Sequence, residues 1–203
     1  MSYLEQKQEV LKYSQKLSRD GFFGTQTGTG GNVSLRVSGE GPIAVTPSGK
    51  NYHQIGAEEL CLVDLEGQVV TGPFSPSVET GIHLAIYRHR PEVGAVIHTH
   101  QDFASVLSII NHPLPLLFDE AVHGLLHPVE IVPYAPSGSR ELENHVKKRL
   151  NNEATCYLLQ NHGALCLGDD LAQAFYRAEL LEKCARVYYY ALCTGQTITY
   201  FQD

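Results

Sequence analysis

The stretch TCYLLQNHGALCLG, residues 155 to 168, holds two apolar runs of strand length separated by only a few polar residues. A crossover between parallel strands needs a dozen or more residues, so strands joined this directly argue against a purely parallel sheet. Other runs are joined as directly. VSLRV, PIAVTP and LCLVDL follow one another between Asn32 and Asp64 with Gly and Pro as punctuation, the pattern of sheet strands linked by turns. Helical patterns are interleaved with them. An amphipathic helix is expected from residue 3 to 20, with Leu4, Val10, Leu11, Tyr13 and Leu17 at helical spacing and Gly21 and Gly24 ending it. A second is expected to start with Ser77 as N-cap and Glu79 in its first turn, run through IHLAIYRHR and stop before Pro91. The strand VGAVIHT, a helix from about Asp102 to Ile110, a strand from Val129 to Pro133, the helix SRELENHVKKRLNN and a final helix from Leu171 to about Cys193 complete the pattern. Strands joined partly by turns and partly through helices predict an α/β sandwich with a mixed sheet.

The chain has 203 residues, 43% of them hydrophobic and 18% charged, which suits one well-packed domain over residues 1–203. It has no apolar run long enough for a membrane span, and its N-terminal stretch is polar and helical in pattern without a signal-peptide core. A soluble cytoplasmic protein is expected. Five scattered cysteines without a CxxC pair suggest neither a disulfide framework nor a thiolate zinc site, and they are expected to be buried small apolar residues. A net charge of -7 without a Lys/Arg cluster argues against nucleic acid or an anionic membrane as partner.

The chemistry gathers at strand ends. In GAVIHTHQ, His98 and His100 are separated by one residue, so on a strand they share a face and can converge on one ion. His162, in LLQNHGAL, stands at the exit of another apolar strand. Three imidazoles with an open fourth position are the arrangement of a catalytic zinc; the same residues also suit three hydrogen-bonded structural histidines. The glycine-rich segment GTGGNVS, Gly28 to Ser34, follows neither a Walker pattern nor GxGxxG. It reads as a backbone anion loop or as a plain β-turn, and TPSGK, Thr46 to Lys50, is equally open. Glu79 is the carboxylate best placed for acid or base work, since a helix N-terminus favours its anion. An ordinary first-turn glutamate would look the same. Of the remaining histidines, only His83, on the helix that carries Glu79, is a candidate to support the site from behind.

Taken in order, GTGGNVS, TPSGK, PSVE, HLAIY, GAVIHTH and QNHG resemble the class II aldolase/adducin family, on its L-fuculose-1-phosphate aldolase side, from Met1 to about Leu192. The resemblance implies a three-layer α/β/α sandwich around a mixed, mainly antiparallel sheet. It also implies a four-fold homotetramer with active sites at subunit boundaries. His98, His100 and His162 match the family's zinc ligands, one ion per subunit, with another divalent metal as the alternative. Glu79 matches its catalytic carboxylate, which also approaches the metal when substrate is absent. Gly31, Asn32, Ser48, Gly49 and Ser77 fall on its phosphate-binding positions. The implied activity is retro-aldol cleavage of a small ketose phosphate to dihydroxyacetone phosphate and an aldehyde. A ribulose-phosphate 4-epimerase, a methylthioribulose-1-phosphate dehydratase, a phosphorylated oxo-acid decarboxylase and a non-catalytic adducin-head-like module share the scaffold. Epimerases of the family typically place an aspartate where Glu79 stands, and the dehydratases commonly lack the acid, which favours the lyase. Two departures stand out. Val78 replaces a phosphate-binding serine, and the position of the aldolase's proton-donating tyrosine falls at Asp119, a candidate acid or base. The C-terminal active-site tyrosine of the family is expected to be absent from a sequence ending at Asp203.

Overall fold

The computed structural model describes residues 3–25, 29–39 and 41–200, so Gly28, the first residue of the glycine-rich segment, lies outside the described residues. Strands β1 (Asn32–Arg36), β2 (Ile43–Val45), β3 (Cys61–Val63) and β4 (Val69–Thr71) form an antiparallel meander. Together with β5 (Ala95–Thr99), β6 (Glu130–Val132), β7 (Cys156–Leu159) and β8 (Gly163–Gly168) they make one eight-stranded sheet of order β4-β3-β2-β1-β5-β8-β7-β6. β7 and β8 form the antiparallel hairpin that their short connection demands. The parallel pair is β6 and β7, and helix α5 (Arg140–Arg149) makes the crossover between them.

Both faces of the sheet are covered, and the alternation of side chains along each strand shows how. In β5, Ala95 and Ile97 join a core with α1 (Leu4–Arg19), α3 (Asp102–Ile109), α4 (Asp119–Gly124) and α6 (Leu171–Cys193). Val96 joins a second core with α2 (Thr80–His89) and α5. The result is a three-layer α/β/α sandwich with a mixed, mainly antiparallel sheet. The same alternation sends Val33 and Leu35 of β1 to the first core and turns Asn32 and Ser34 toward α2. In β5 it turns His98 to that side as well, although this face is otherwise apolar.

Several elements differ from expectation for identifiable reasons. α2 starts at Thr80 rather than at Ser77, because the carbonyl of Ser77 accepts both the N–H and the hydroxyl of Thr80 in a separate turn. Ser77 is therefore not the N-cap, and Glu79 occupies the cap position instead of the first turn. α4 and β4 are too short to carry a readable period, and the residues of β4 are all exposed. Four cysteines are buried as expected, but Cys193 is exposed where α6 ends. Among the described residues, no helix is long and apolar enough to cross a membrane.

One glycine is set by close approach between strands. A Cβ on Gly163, the first residue of β8, would lie 2.2 Å from the carbonyl oxygen of Thr99 and 2.6 Å from Cδ2 of His100. Gly163→Ala must therefore push β5 and β8 apart at their ends. A loss of about 1–3 kcal/mol in urea-unfolding stability is expected, the usual range for overpacking.

Candidate metal centre

Antiparallel pairing brings three chain segments to one edge of the sheet: the start of β1, the end of β5 and the start of β8. Asn32 pairs with His98 across β1 and β5, and His98 pairs with Leu165 across β5 and β8. His98 is the penultimate residue of β5, and His100 follows the strand. His162 is carried by the β7–β8 turn, in which Asn161 takes a left-handed conformation (φ 54) and the N–H of His162 donates to the carbonyl of Leu159 at 3.0 Å. Asparagine tolerates that conformation better than most residues, so QNHG is a turn suited to aiming an imidazole off the end of the sheet. Gly31 permits the last close approach, since a Cβ there would meet the Phe23 ring at 2.3 Å and the His98 carbonyl oxygen at 2.5 Å.

Glu79 enters from the start of α2 and meets these histidines. Its Oε2 lies 3.0 Å from Nε2 of His98 and its Oε1 lies 3.2 Å from Nε2 of His162. Nε2 of His100 is 2.9 Å from Nε2 of His98. One ligand atom from each of Glu79, His98, His100 and His162 falls within 4.8 Å of all the others. Nitrogen and oxygen donors about 2.0–2.1 Å from a tetrahedral zinc would lie about 3.3 Å from one another, close to the spacings seen. The tautomer fits too. Nδ1 of His98 donates to the carbonyl of Ala164 at 2.9 Å, which leaves the Nε2 lone pair pointing into the cluster. Two imidazole nitrogens facing each other across 2.9 Å are well served by a cation between them. Glu79 and His98 are buried, while His100 and His162 are partly open, so the cluster is reached from their side.

The electrostatics favour the ligand forms. Burial alone would raise the carboxyl of Glu79, but the charge of His98 and a hydrogen bond with it, then His162 and the Ser137 hydroxyl, hold it well below the usual carboxylate range. Burial, repulsion by His98 and then by His162 push His100 down to about 3 against the pull of Glu79, and burial also lowers His162. Two neutral donors also face the carboxylate: Ser137 Oγ to Oε1 at 2.7 Å and Asn32 Nδ2 to Oε2 at 3.1 Å. An ionised Glu79 beside His100 and His162 held toward neutrality suits the deprotonated ligands that a metal requires.

The five residues expected at a phosphate lie on adjoining segments. The N–H of Ser48 donates to the carbonyl of Ser75 at 2.9 Å, that of Ser77 to Thr46 at 3.0 Å and that of Thr46 to Val33 at 3.1 Å. The loops holding Ser48, Gly49 and Ser77 thus lie side by side next to Gly31 and Asn32. Asn32 is engaged at both ends of its amide, by Glu79 and by His83. Val78 is exposed beside Glu79. Asp119 is not in the cluster; it lies on α4 with its side chain open to solvent, 3.9 Å from Nδ1 of His123. Ser137 was not legible as a site residue, although its loop APSGS repeats the PSG of TPSGK. His83 is fully buried, with Nε2 2.5 Å from Oδ1 of Asn32.

Residues 8–189 match the family model described as the class II aldolase and adducin N-terminal domain. The chain belongs to this family. It is 33% identical over 199 residues to the L-fuculose phosphate aldolase of Haemophilus influenzae, covering 98% of this chain and 88% of that protein. It is 30% identical over 193 residues to a 5-deoxy-D-ribulose 1-phosphate aldolase of Bacillus thuringiensis serovar kurstaki, covering 95% and 88%. A solved L-fuculose 1-phosphate aldolase superposes with a TM-score of 0.90 at 33% identity, covering 98% of this chain and 91% of that one.

Two outcomes test the centre. His98→Ala should abolish stoichiometric zinc binding, read by calorimetry and metal analysis on the purified protein. The second concerns His83, which burial and the repulsion of His98, opposed by Glu79, push from 6.5 to about 3. Between those values the unfolded chain takes up a proton that the folded chain refuses, so stability falls as pH drops through 6.5. The loss from pH 7 to pH 5 should be about 2 kcal/mol from this group. Urea unfolding of chelated protein at the two pH values should show the loss shrinking by that amount in His83→Gln.

Proposed function

We propose that this protein is a zinc-dependent class II aldolase that cleaves a small ketose 1-phosphate, such as L-fuculose 1-phosphate, to dihydroxyacetone phosphate and an aldehyde. The observation that carries this reading is the buried Glu79 carboxylate held against three converging imidazoles. The named relatives add the substrate class. L-fuculose 1-phosphate and 5-deoxy-D-ribulose 1-phosphate are both ketoses phosphorylated on C1, and breaking C3–C4 releases the same three-carbon ketone phosphate from either.

His98, His100 and His162 would hold the ion, and another divalent metal would suit the same donors. Zinc there supplies Lewis acidity toward the carbonyl and hydroxyl oxygens of the substrate. Glu79 holds and returns the proton at the carbon where the bond breaks, with its carboxylate oriented by Asn32 and Ser137. The phosphate is assigned to Gly31, Asn32, Ser48, Gly49 and Ser77. Because the N–H groups of Ser48 and Ser77 already donate to carbonyls, their hydroxyls are what these residues have to offer. Glutamate rather than aspartate at position 79 supports the lyase over an epimerase, and the complete ligand set argues against a non-catalytic adducin-like module. Asp119, exposed on α4, stays our candidate acid or base on the resemblance alone, in the homotetramer with active sites at subunit boundaries that we infer.

The test is a retro-aldol assay of zinc-loaded protein over ketose 1-phosphates and 5-phosphates, read by release of dihydroxyacetone phosphate. Release from 1-phosphates is expected. Interconversion of a 5-phosphate without fragment release would replace the aldolase with an epimerase. Glu79→Gln should lower kcat by about 100-fold or more, the range for loss of a general acid–base, and intact turnover in this variant would remove Glu79 from the role.

A further inference from the structure

Behind Glu79 runs a row of polar side chains of which the aldolase reading uses only Asn32. Glu79, His83 and Tyr87 are spaced four residues apart and so lie along one face of α2 and its approach. Opposite them stand Asn32 and Ser34, alternate residues of β1 turned toward the same helix. Asn32, Ser34, His83 and Tyr87 are all buried. The contacts run in one line: Glu79 Oε2 to Asn32 Nδ2 at 3.1 Å, Asn32 Oδ1 to His83 Nε2 at 2.5 Å, His83 Nδ1 to Ser34 Oγ at 2.6 Å, and Ser34 Oγ to Tyr87 OH at 2.8 Å.

The position of every proton in this row follows from the carboxylate. An ionised carboxylate only accepts, so Asn32 must present its NH2 to Glu79 and its oxygen to His83. An amide oxygen also only accepts, so Nε2 of His83 carries the hydrogen. A neutral imidazole has one such hydrogen, so Nδ1 accepts from the Ser34 hydroxyl. Ser34, having donated, accepts in turn from Tyr87. The row donates in one direction, from Tyr87 through Ser34, His83 and Asn32 to Glu79. Its alternative outlet, from Tyr87 to the carbonyl of Gly94 at 3.5 Å, is long for a hydrogen bond.

We propose that His83 is a positioning residue: its Nε2–H holds the Asn32 amide in the one orientation that hands an N–H to Glu79, and so fixes the carboxylate for proton transfer. The idea rests on the reading of Glu79 as acid–base. Its physical content is that Glu79 loses its contacts with His98 and His162 whenever those nitrogens turn to another partner. Asn32 and Ser137 then remain to orient the carboxylate, and without a donor at its oxygen the Asn32 side chain is free to swing away from Glu79. His83 is that donor. A purely structural row would instead satisfy buried polar atoms between α2 and β1, with no consequence specific to turnover.

The experiment uses the full chain and four variants: His83→Leu, His83→Gln, Asn32→Ala and the double variant combining His83→Leu with Asn32→Ala. Each is checked for folding by circular dichroism and for zinc content. In His83→Leu, kcat on the best ketose 1-phosphate should fall about 10- to 100-fold, the usual scale for such a supporting contact, with KM changed by less than about threefold. His83→Gln, whose amide can place an N–H near the same point, should recover most of the loss. Adding His83→Leu to Asn32→Ala should lower kcat no further, because a residue acting through Asn32 has nothing left to act on. The second readout needs no turnover. In chelated wild-type protein, the Asn32 side-chain amide should give a proton NMR signal protected from solvent exchange. That protection should be lost in His83→Leu and kept in His83→Gln. An unchanged kcat in His83→Leu, additive losses with Asn32→Ala, or an amide equally protected in His83→Leu would overturn the proposal. Wild-type protein inert toward every ketose phosphate would instead overturn the aldolase reading and the catalytic consequence drawn from it, while the amide signal would still decide whether His83 orients Asn32.

Discussion

A carboxylate only 4% exposed sets the terms for everything around it. A buried charge is very costly unless paired and hydrogen-bonded, and Glu79 has four partners: His98, His162, Ser137 and Asn32. Each comes from a different part of the chain. β1 supplies Asn32, β5 supplies His98, the β7–β8 turn supplies His162 and the loop before α5 supplies Ser137. The packing of α2 onto the sheet is therefore tied to the positions of four separate elements, and the polar row from Asn32 to Tyr87 exists because α2 faces β1 where Glu79 must be held.

The sheet order explains why such a set can assemble. Three central antiparallel strands, β1, β5 and β8, place a start, an end and a start along one edge, so side chains far apart in sequence meet without a long loop. Close approach is then the limiting requirement. Gly31 and Gly163 meet it by having no side chain where the neighbouring backbone lies within about 2.5 Å of a Cβ. Both glycines sit next to a residue of the site, Asn32 and His162, so the same positions that let strands close also aim polar groups.

The arrangement costs stability when the cluster is held by protein alone. Two imidazole nitrogens face each other at 2.9 Å, and burial holds several histidines toward neutrality at pH values where free imidazoles would take up a proton. A divalent cation relieves both effects, because it accepts the facing lone pairs and supplies the positive charge that the buried carboxylate lacks. Metal binding there would link folding energy to the same four residues.

Much of this was readable from residue order alone. Strands joined by turns rather than helices pointed to a mixed sheet and away from a purely parallel one, because a short connection cannot span a parallel crossover. The i, i+2 spacing of His98 and His100 put both on one face, because a strand has a period of two. Helix α6 could be placed from Leu171 to about Cys193, because a long apolar period leaves little choice, and the helix observed has those bounds. Short elements were not legible: α4 and β4 hold too few residues to show a period, and the start of α2 depended on a turn at Ser77 that competes with capping. Partners across space were not legible either. Nothing in the sequence links Ser137 to Glu79, since a serine in a loop looks ordinary until the fold sets it beside a buried charge; His83 stood out by sharing the helix of Glu79, but its partners Asn32 and Ser34 on β1 did not. Local periodicity determined that His98 and His100 would share a face. Only tertiary packing decided which groups the carboxylate would face, because a buried charge selects its partners by proximity in the folded chain rather than by spacing along it.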